Sequence, residues 1–202
     1  GADQRGLLML YWLAEWLGFP GALNLIRYLS FRSGAAVATA LIIGLWIGPR
    51  FILMLRMRQG KGQPIRDDGP QTHLIKAGTP TMGGTLILLS IGLTTLLWAD
   101  LSNRFVWLLL AVTGGTGLIG FVDDYRKVVY KNPKGLSARA KMFWQSVIAI
   151  CAGLFLANTA TLPANTEFIV PFFKHIIYPF GAIGFVVLTY FVIVGTGNAV
   201  NL

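Results

Sequence analysis

Charged residues are scarce in this 202-residue chain. They make up 12% of it, whereas ordinary soluble domains carry about 25%. Acidic residues are the scarcer sign, with eight Asp and Glu against 17 Lys and Arg. Hydrophobic residues reach 54%, and the mean hydropathy is +0.63. The low charge excludes an ordinary soluble domain and predicts an integral membrane protein.

Other common signals are also absent. The one cysteine, Cys151, lies in an apolar run, so an internal disulfide is excluded and a packed thiol is expected. The apolar patch at residues 7–17 contains Glu15 and lacks the small-residue pattern of a cleavage site, so we expect no secretory signal. The Walker A pattern is missing, which excludes a P-loop nucleotide site.

Long apolar runs predict an all-α polytopic membrane protein with a single membrane domain. With about 20 residues needed for each crossing, transmembrane helices are predicted at residues 33–55, 82–98, 105–122, 142–157 and 180–197. Pro49 is expected to kink or end the first. Aromatic residues in the interrupted stretch 7–31 favour an interfacial helix, broken near Pro20. Residues 168–170 and 172–173 predict a small periplasmic hairpin.

Basic residues predict the orientation. Six Lys and Arg lie within residues 50–76 and six within 126–141, whereas the opposite loops hold Arg104 and Lys174. Cytoplasmic loops carry the Lys and Arg excess, so both basic loops are predicted inside and the N-terminus in the periplasm. This topology accounts for the net charge of +9, and no nucleic-acid partner is predicted.

An acidic pair ends the third apolar run. Charged side chains at the bilayer centre cost about 2.5–3.5 kcal/mol, so Asp123 and Asp124 point to a polar cavity, a cation or a substrate. Lys127 stands four and three residues later, within reach of either carboxylate. Because Mg²⁺ is typically held by one or two carboxylates plus substrate phosphates, both are candidate Mg²⁺ ligands. The alternative is an acidic helix end that forms a surface ion pair with Lys127.

Two further polar stretches, residues 66–84 and 198–201, fall on the same predicted side of the membrane, and we predict one cytoplasmic pocket. Lys76 would reach a phosphate or a nucleobase carbonyl. His73 would contact phosphate or be polar surface. Asn198 and Asn201 share a helix face and would bind ligand or satisfy terminal carbonyls.

Glycines leave two interpretations open. Those within residues 113–117 either let helices pack closely in lipid or leave room for a ligand. Residues 83–84 either let the backbone approach a ligand or form the Gly-rich start of a helix after a re-entrant turn.

Three motifs then carry a resemblance: DGPxxHxxKxGTPTMGG at residues 68–84, GFxDDxxK at 120–127 and GNAVNL at 197–202. Together they resemble the phospho-N-acetylmuramoyl-pentapeptide-transferase family, one of the polyprenyl-phosphate N-acetylhexosamine-1-phosphate transferases. The long first motif indicates the muramoyl-pentapeptide branch, whereas the Asp pair alone indicates only the superfamily. The alternatives are a sister transferase that uses UDP-N-acetylglucosamine and a non-catalytic, transporter-like membrane protein.

The resemblance implies an Mg²⁺-dependent enzyme of the bacterial inner membrane, active at the cytoplasmic face in peptidoglycan synthesis and so in cell division. Undecaprenyl phosphate would attack UDP-N-acetylmuramoyl-pentapeptide, forming lipid I and releasing UMP. Direct displacement and a covalent aspartyl-phosphate both stay open, and we favour the direct route. Relatives of this kind pair as homodimers. By position, the resemblance implies a catalytic group of Asp123, Asp124 and Lys127 and a nucleoside or diphosphate pocket containing Lys76, Thr81 and Asn201.

The family also continues beyond the position of Leu202, with further spans and another metal-binding Asp. We therefore expect the chain to represent the N-terminal half of a ten-span enzyme. We also expect residues 1–202 alone to be inactive, and UMP release from that segment would test this.

Overall fold

Five α-helices and one small sheet form most of the described part of the chain. The computed structural model describes residues 10, 16, 25–26, 28–59, 82–131, 134–161, 167–169, 172, 175 and 177–199. The elements are α1 (Leu29–Gln59), α2 (Gly84–Trp98), α3 (Arg104–Val129), α4 (Ala138–Thr159), β1 (Glu167–Ile169), β2 (Ile177–Pro179) and α5 (Gly181–Ala199). Four helices are long and apolar enough to cross a membrane, and α2 is shorter. The predicted all-α polytopic membrane fold is confirmed.

The chain divides into two compact units, Gly1–Gly135 and Leu136–Leu202. In the first, α1 packs against α2 and α2 against α3. The Trp98 indole N–H donates to Thr39 Oγ1 at 3.1 Å, which joins α2 to α1. A β-carbon on Gly117 would overlap the Leu88 side chain of α2, whereas one on Gly114 would meet open space. Close helix packing therefore explains Gly117 but not Gly114.

In the second unit, α4 packs along α5. Small residues make this contact, since Ala149 and Ala152 are buried and a β-carbon on Gly153 would lie 3.2 Å from Val186 Cα. Close backbone approach at small residues is the usual way helices associate in lipid.

Large apolar side chains lie mostly on the outer surfaces of the helices. Leu45, Trp46 and Ile183 are 76%, 69% and 83% exposed, and none of the most apolar stretch of α3 is buried. Contiguous apolar surface of this extent is unusual on a soluble monomer. In a bilayer the acyl chains cover it, and the helices satisfy their own backbone hydrogen bonds.

Helices α1, α3 and α4 each extend beyond the apolar runs that predict them. α1 continues through Pro49 to Gln59, so an end at Pro49 is wrong. Transmembrane helices tolerate proline because neighbouring groups satisfy the freed backbone carbonyl. α3 continues to Val129 rather than 122, since residues 121–129 contain no proline or glycine. The first two cations of the predicted basic loop within residues 126–141, Arg126 and Lys127, therefore lie on the helix, and a loop that begins before Val129 is wrong.

The predicted hairpin is present with a different second strand. β1 pairs antiparallel with β2, with Phe168 opposite Tyr178. Phe172 lies in a turn with φ of 71°, so the prediction of a strand there is wrong. The predicted interfacial helix lies almost wholly outside the described residues.

Candidate active site

Asp123, Asp124 and Lys127 lie on the last two turns of α3 rather than at the start of a loop. Tyr130 caps the helix, and its backbone N–H donates to the Arg126 carbonyl at 3.2 Å. Cations in the last turn interact favourably with the helix dipole. Helical geometry therefore fixes the spacing of the three side chains.

Asp123 and Lys127 form a close and largely buried ion pair. Lys127 Nζ lies 2.8 Å from Asp123 Oδ2, with the two side chains 17% and 9% exposed. Burying a carboxylate is costly unless the charge is paired, and the pairing that the i, i+4 spacing predicts is confirmed. Of the described polar and charged residues, only Ser90, Thr94 and Asp123 are buried.

Asp124 differs from its neighbour. Its Oδ1 lies 3.9 Å from Lys127 Nζ, and its side chain is 30% exposed. Successive residues on a helix point about 100° apart, which is why only Asp123 is buried. One lysine thus contacts one carboxylate closely and stands beside the other.

Asn198 lies inside α5, in the second unit. Its Nδ2 donates to the Val194 carbonyl at 2.7 Å and to Gln145 Oε1 on α4 at 3.0 Å. A β-carbon on Gly197 would lie 3.4 Å from Gln145 Nε2. The amide therefore joins α4 to α5, and both predicted roles of Asn198, ligand binding and satisfaction of terminal carbonyls, stay predictions.

Four other predicted site residues, Lys76, Thr81, His73 and Asn201, lie outside the described residues. The first described residue after Lys76 and Thr81 is Met82, which has a left-handed conformation with φ of 74°. Gly83 and Gly84 follow, and a β-carbon on either would meet open space. The start of α2 is thus uncrowded within its own unit, and the predicted pocket of three stretches stays a prediction.

Gln145 and Gly135 were missed by the sequence reasoning. Gln145 is an amide within the apolar run of α4, a local signal that was available. Gly135 lies against the Asp123–Lys127 pair and carries no such signal, because the contact spans a connection between helices.

Two stretches of the chain match models of known families. Residues 106–202 match glycosyl transferase family 4. Residues 76–88 match phospho-N-acetylmuramoyl-pentapeptide-transferase signature 1. The two matches agree with each other and together cover more than half of the chain. Over residues 106–202 the chain is similar to glycosyl transferase family 4. The two matches support a membrane-embedded polyprenyl-phosphate hexosamine-1-phosphate transferase.

The family match contains the acidic pair, Lys127 and Asn198. The signature match contains Lys76, Thr81 and the first turn of α2. The stretches that sequence reasoning selected thus lie within the matched residues or overlap them.

The carboxylates of Asp123 and Asp124 fit Mg²⁺ as two of its ligands. Across the described ranges, no three His, Cys, Asp or Glu side chains form a group that would hold a metal. Mg²⁺ commonly takes only one or two protein carboxylates and completes its shell with substrate phosphates and water. Asp123 and Asp124 suit that role in donor chemistry and number.

Proposed function

We propose that this protein transfers phospho-N-acetylmuramoyl-pentapeptide from UDP to undecaprenyl phosphate, forming lipid I and releasing UMP. The observation that carries the proposal is the buried Asp123–Lys127 pair at 2.8 Å, with Asp124 beside it. The match of residues 76–88 to the muramoyl-pentapeptide transferase signature supports this branch of the family. We assign the reaction to the cytoplasmic face of the bacterial inner membrane, because the distribution of Lys and Arg predicts both basic loops on that side.

The reaction exchanges one phosphoanhydride for another: the sugar phosphate passes from UMP to the lipid phosphate. An oxygen of the lipid phosphate attacks the sugar-proximal phosphorus of the UDP-sugar, the P–O bond between the two phosphates breaks, and UMP leaves with the bonding electrons. Catalysis of such transfers is mainly positioning and charge stabilisation. The lipid phosphate is already ionised near neutral pH, so direct displacement needs no covalent aspartyl-phosphate.

The residues of α3 supply the charges for this exchange. Lys127 neutralises phosphate oxygens beside the carboxylates, and the same ammonium holds Asp123 in place. Asp123 and Asp124 would hold Mg²⁺, which when bound supplies charge neutralisation at the phosphates. Because Asp124 is the more exposed of the two, we assign it the larger share of contact with substrate or metal.

The remaining predicted site residues belong to the sugar nucleotide. From the resemblance we assign Lys76, Thr81 and Asn201 to the nucleoside or diphosphate of the sugar nucleotide, and His73 to its phosphate. Asn198 uses its amide nitrogen within the protein, which leaves its carbonyl oxygen as the ligand-facing group.

UMP release by the full-length protein tests the function. Activity is expected only with undecaprenyl phosphate, UDP-N-acetylmuramoyl-pentapeptide and Mg²⁺ together, and both Asp123→Asn and Asp124→Asn are expected to abolish it. Asp100→Asn is the matched control: this carboxylate accepts hydrogen bonds from Ser102 in the turn before α3, and Asn keeps an acceptor there. Wild-type turnover in both site variants would remove the catalytic assignment and favour a transporter-like protein. Faster turnover with UDP-N-acetylglucosamine would indicate the sister transferase.

A further inference from the structure

Gly135, six residues beyond the end of α3, is buried against the Asp123–Lys127 pair. A β-carbon built on Gly135 would overlap Asp123 Oδ1, and would lie 3.1 Å from Asp123 Cγ and 2.8 Å from Lys127 Cε. Its φ is +59°, in the left-handed region that glycine adopts without strain. The close approach leaves no room for a β-carbon at this position, and the left-handed backbone favours glycine.

The chain leaves α3 in a left-handed conformation. Lys131, the second residue after α3, is also left-handed, with φ of 50°. A left-handed residue just past the last turn is a common way to end a helix. The backbone at Gly135 lies against the side chains of Lys127, in the last turn of α3, and Asp123, in the turn before it.

We propose that Gly135 is a positioning residue of the active site, whose backbone closes over the Asp123–Lys127 pair and keeps carboxylate and ammonium in contact. The roles of the pair rest on the proposed function, whereas the contact itself does not. Asp123 and Lys127 retain only 9% and 17% side-chain exposure, as such a cover requires. Excluding water strengthens the attraction between the two charges, and no larger residue would fit over the pair.

Kinetics of two variants separate overlap from backbone strain. Gly135→Ala and Gly135→Asn both add a β-carbon, but Asn tolerates a left-handed backbone far better than Ala. If the overlap displaces the pair, both variants lower kcat for UMP release by about 100-fold, the loss typical of a misplacement of about 1 Å. KM is expected to change less. Recovery of wild-type kcat in Gly135→Asn would assign the effect to strain and overturn the proposal.

Gly181→Ala is the matched control for strain. Gly181 has φ of +61°, and a β-carbon there would meet open space. The alanine therefore introduces the same left-handed strain without any overlap, and kcat is expected to stay at the wild-type value. A loss in Gly181→Ala equal to that in Gly135→Ala would also overturn the proposal.

Thermal unfolding tests the contact without any assay of activity. Gly135→Ala is expected to lower Tm by more than Gly181→Ala does. In an Asp123→Ala background the overlapping carboxyl group is gone and only the contact with the flexible Lys127 side chain remains. The Tm loss from Gly135→Ala is therefore expected to be smaller there than in the wild-type background. Equal Tm losses from Gly135→Ala in both backgrounds would show that Gly135 does not touch the carboxylate.

The two measurements also separate this inference from the function on which it builds. If the full-length protein releases no UMP but the Tm losses depend on Asp123, the proposed function fails and the placement of Gly135 over the pair is supported. If UMP release is normal and the Tm losses are independent of Asp123, the function stands and the positioning role is overturned.

Discussion

Replacing Lys127 by Met tests whether the ion pair holds the end of α3 together. The substitution keeps a long apolar stem but removes the ammonium that lies 2.8 Å from Asp123 Oδ2. Breaking a buried pair by removing one partner typically costs about 3–5 kcal/mol. Because the Lys127 side chain retains 17% exposure, we expect a loss of about 3 kcal/mol, at the low end of that range. Denaturant titration in detergent micelles measures the free energy of unfolding.

Arg126→Met is the matched control for this prediction. Arg126 is the preceding cation on the same helix and its side chain is exposed, so its loss is expected to change the free energy of unfolding by no more than about 0.5 kcal/mol. Adding Asp123→Asn to Lys127→Met removes the buried charge, and about 1 kcal/mol or more should return. A Lys127→Met protein as stable as Arg126→Met, or a double variant no more stable than Lys127→Met, would refute the reasoning.

Two further predictions concern helix packing. Gly153→Ala is expected to destabilise the protein by about 1–3 kcal/mol through overpacking, because the added methyl would press on the backbone of α5. Gly195→Ala, where a β-carbon meets open space, should be neutral or slightly stabilising, and equal effects would contradict the packing argument. Thr39→Val removes the acceptor of the Trp98 indole N–H and should cost about 0.6 kcal/mol, the average for hydrogen bonds between transmembrane helices. The same unfolding titration measures both, and an unchanged Thr39→Val protein would show that the bond contributes nothing.

Apolar runs predicted where the helices lie but not where they end. Hydrophobicity reports the stretch that lipid covers, whereas a helix continues until a backbone breaker or a cap stops it. α1 therefore passes Pro49 to reach Gln59, and α3 carries seven polar-rich residues beyond residue 122. The second change matters for function, because it puts the acidic pair on a helix of fixed geometry.

The hairpin shows a different limit. Alternation of apolar and turn residues identified β1, but it does not specify which later segment pairs with it. The pairing with β2 places Phe168 opposite Tyr178, and β2 begins at Ile177, four residues after Phe173 at the end of the predicted second strand. Phe172 instead takes a left-handed turn conformation, which aromatic residues rarely adopt.

Within the candidate site, helix spacing predicts one contact but not the others. Lys127 follows Asp123 by one helical turn, so helix periodicity alone predicted their contact. Gly135 approaches the same pair across a connection, and Gln145 meets Asn198 across two helices. Contacts of that kind depend on tertiary folding, and no local pattern in one sequence predicts them.

Helix geometry also explains why two adjacent carboxylates are not equivalent. A rotation of about 100° between neighbours buries Asp123 against Lys127 and leaves Asp124 partly exposed. The ammonium of Lys127 thus balances the charge on Asp123, and Asp123 in turn orients Lys127. Asp124 has the weaker contact with that ammonium, so its negative charge acts more on what approaches from outside. Under the proposed function, Asp123 is therefore the carboxylate that holds Lys127 in place, and Asp124 is the carboxylate that would meet the substrate.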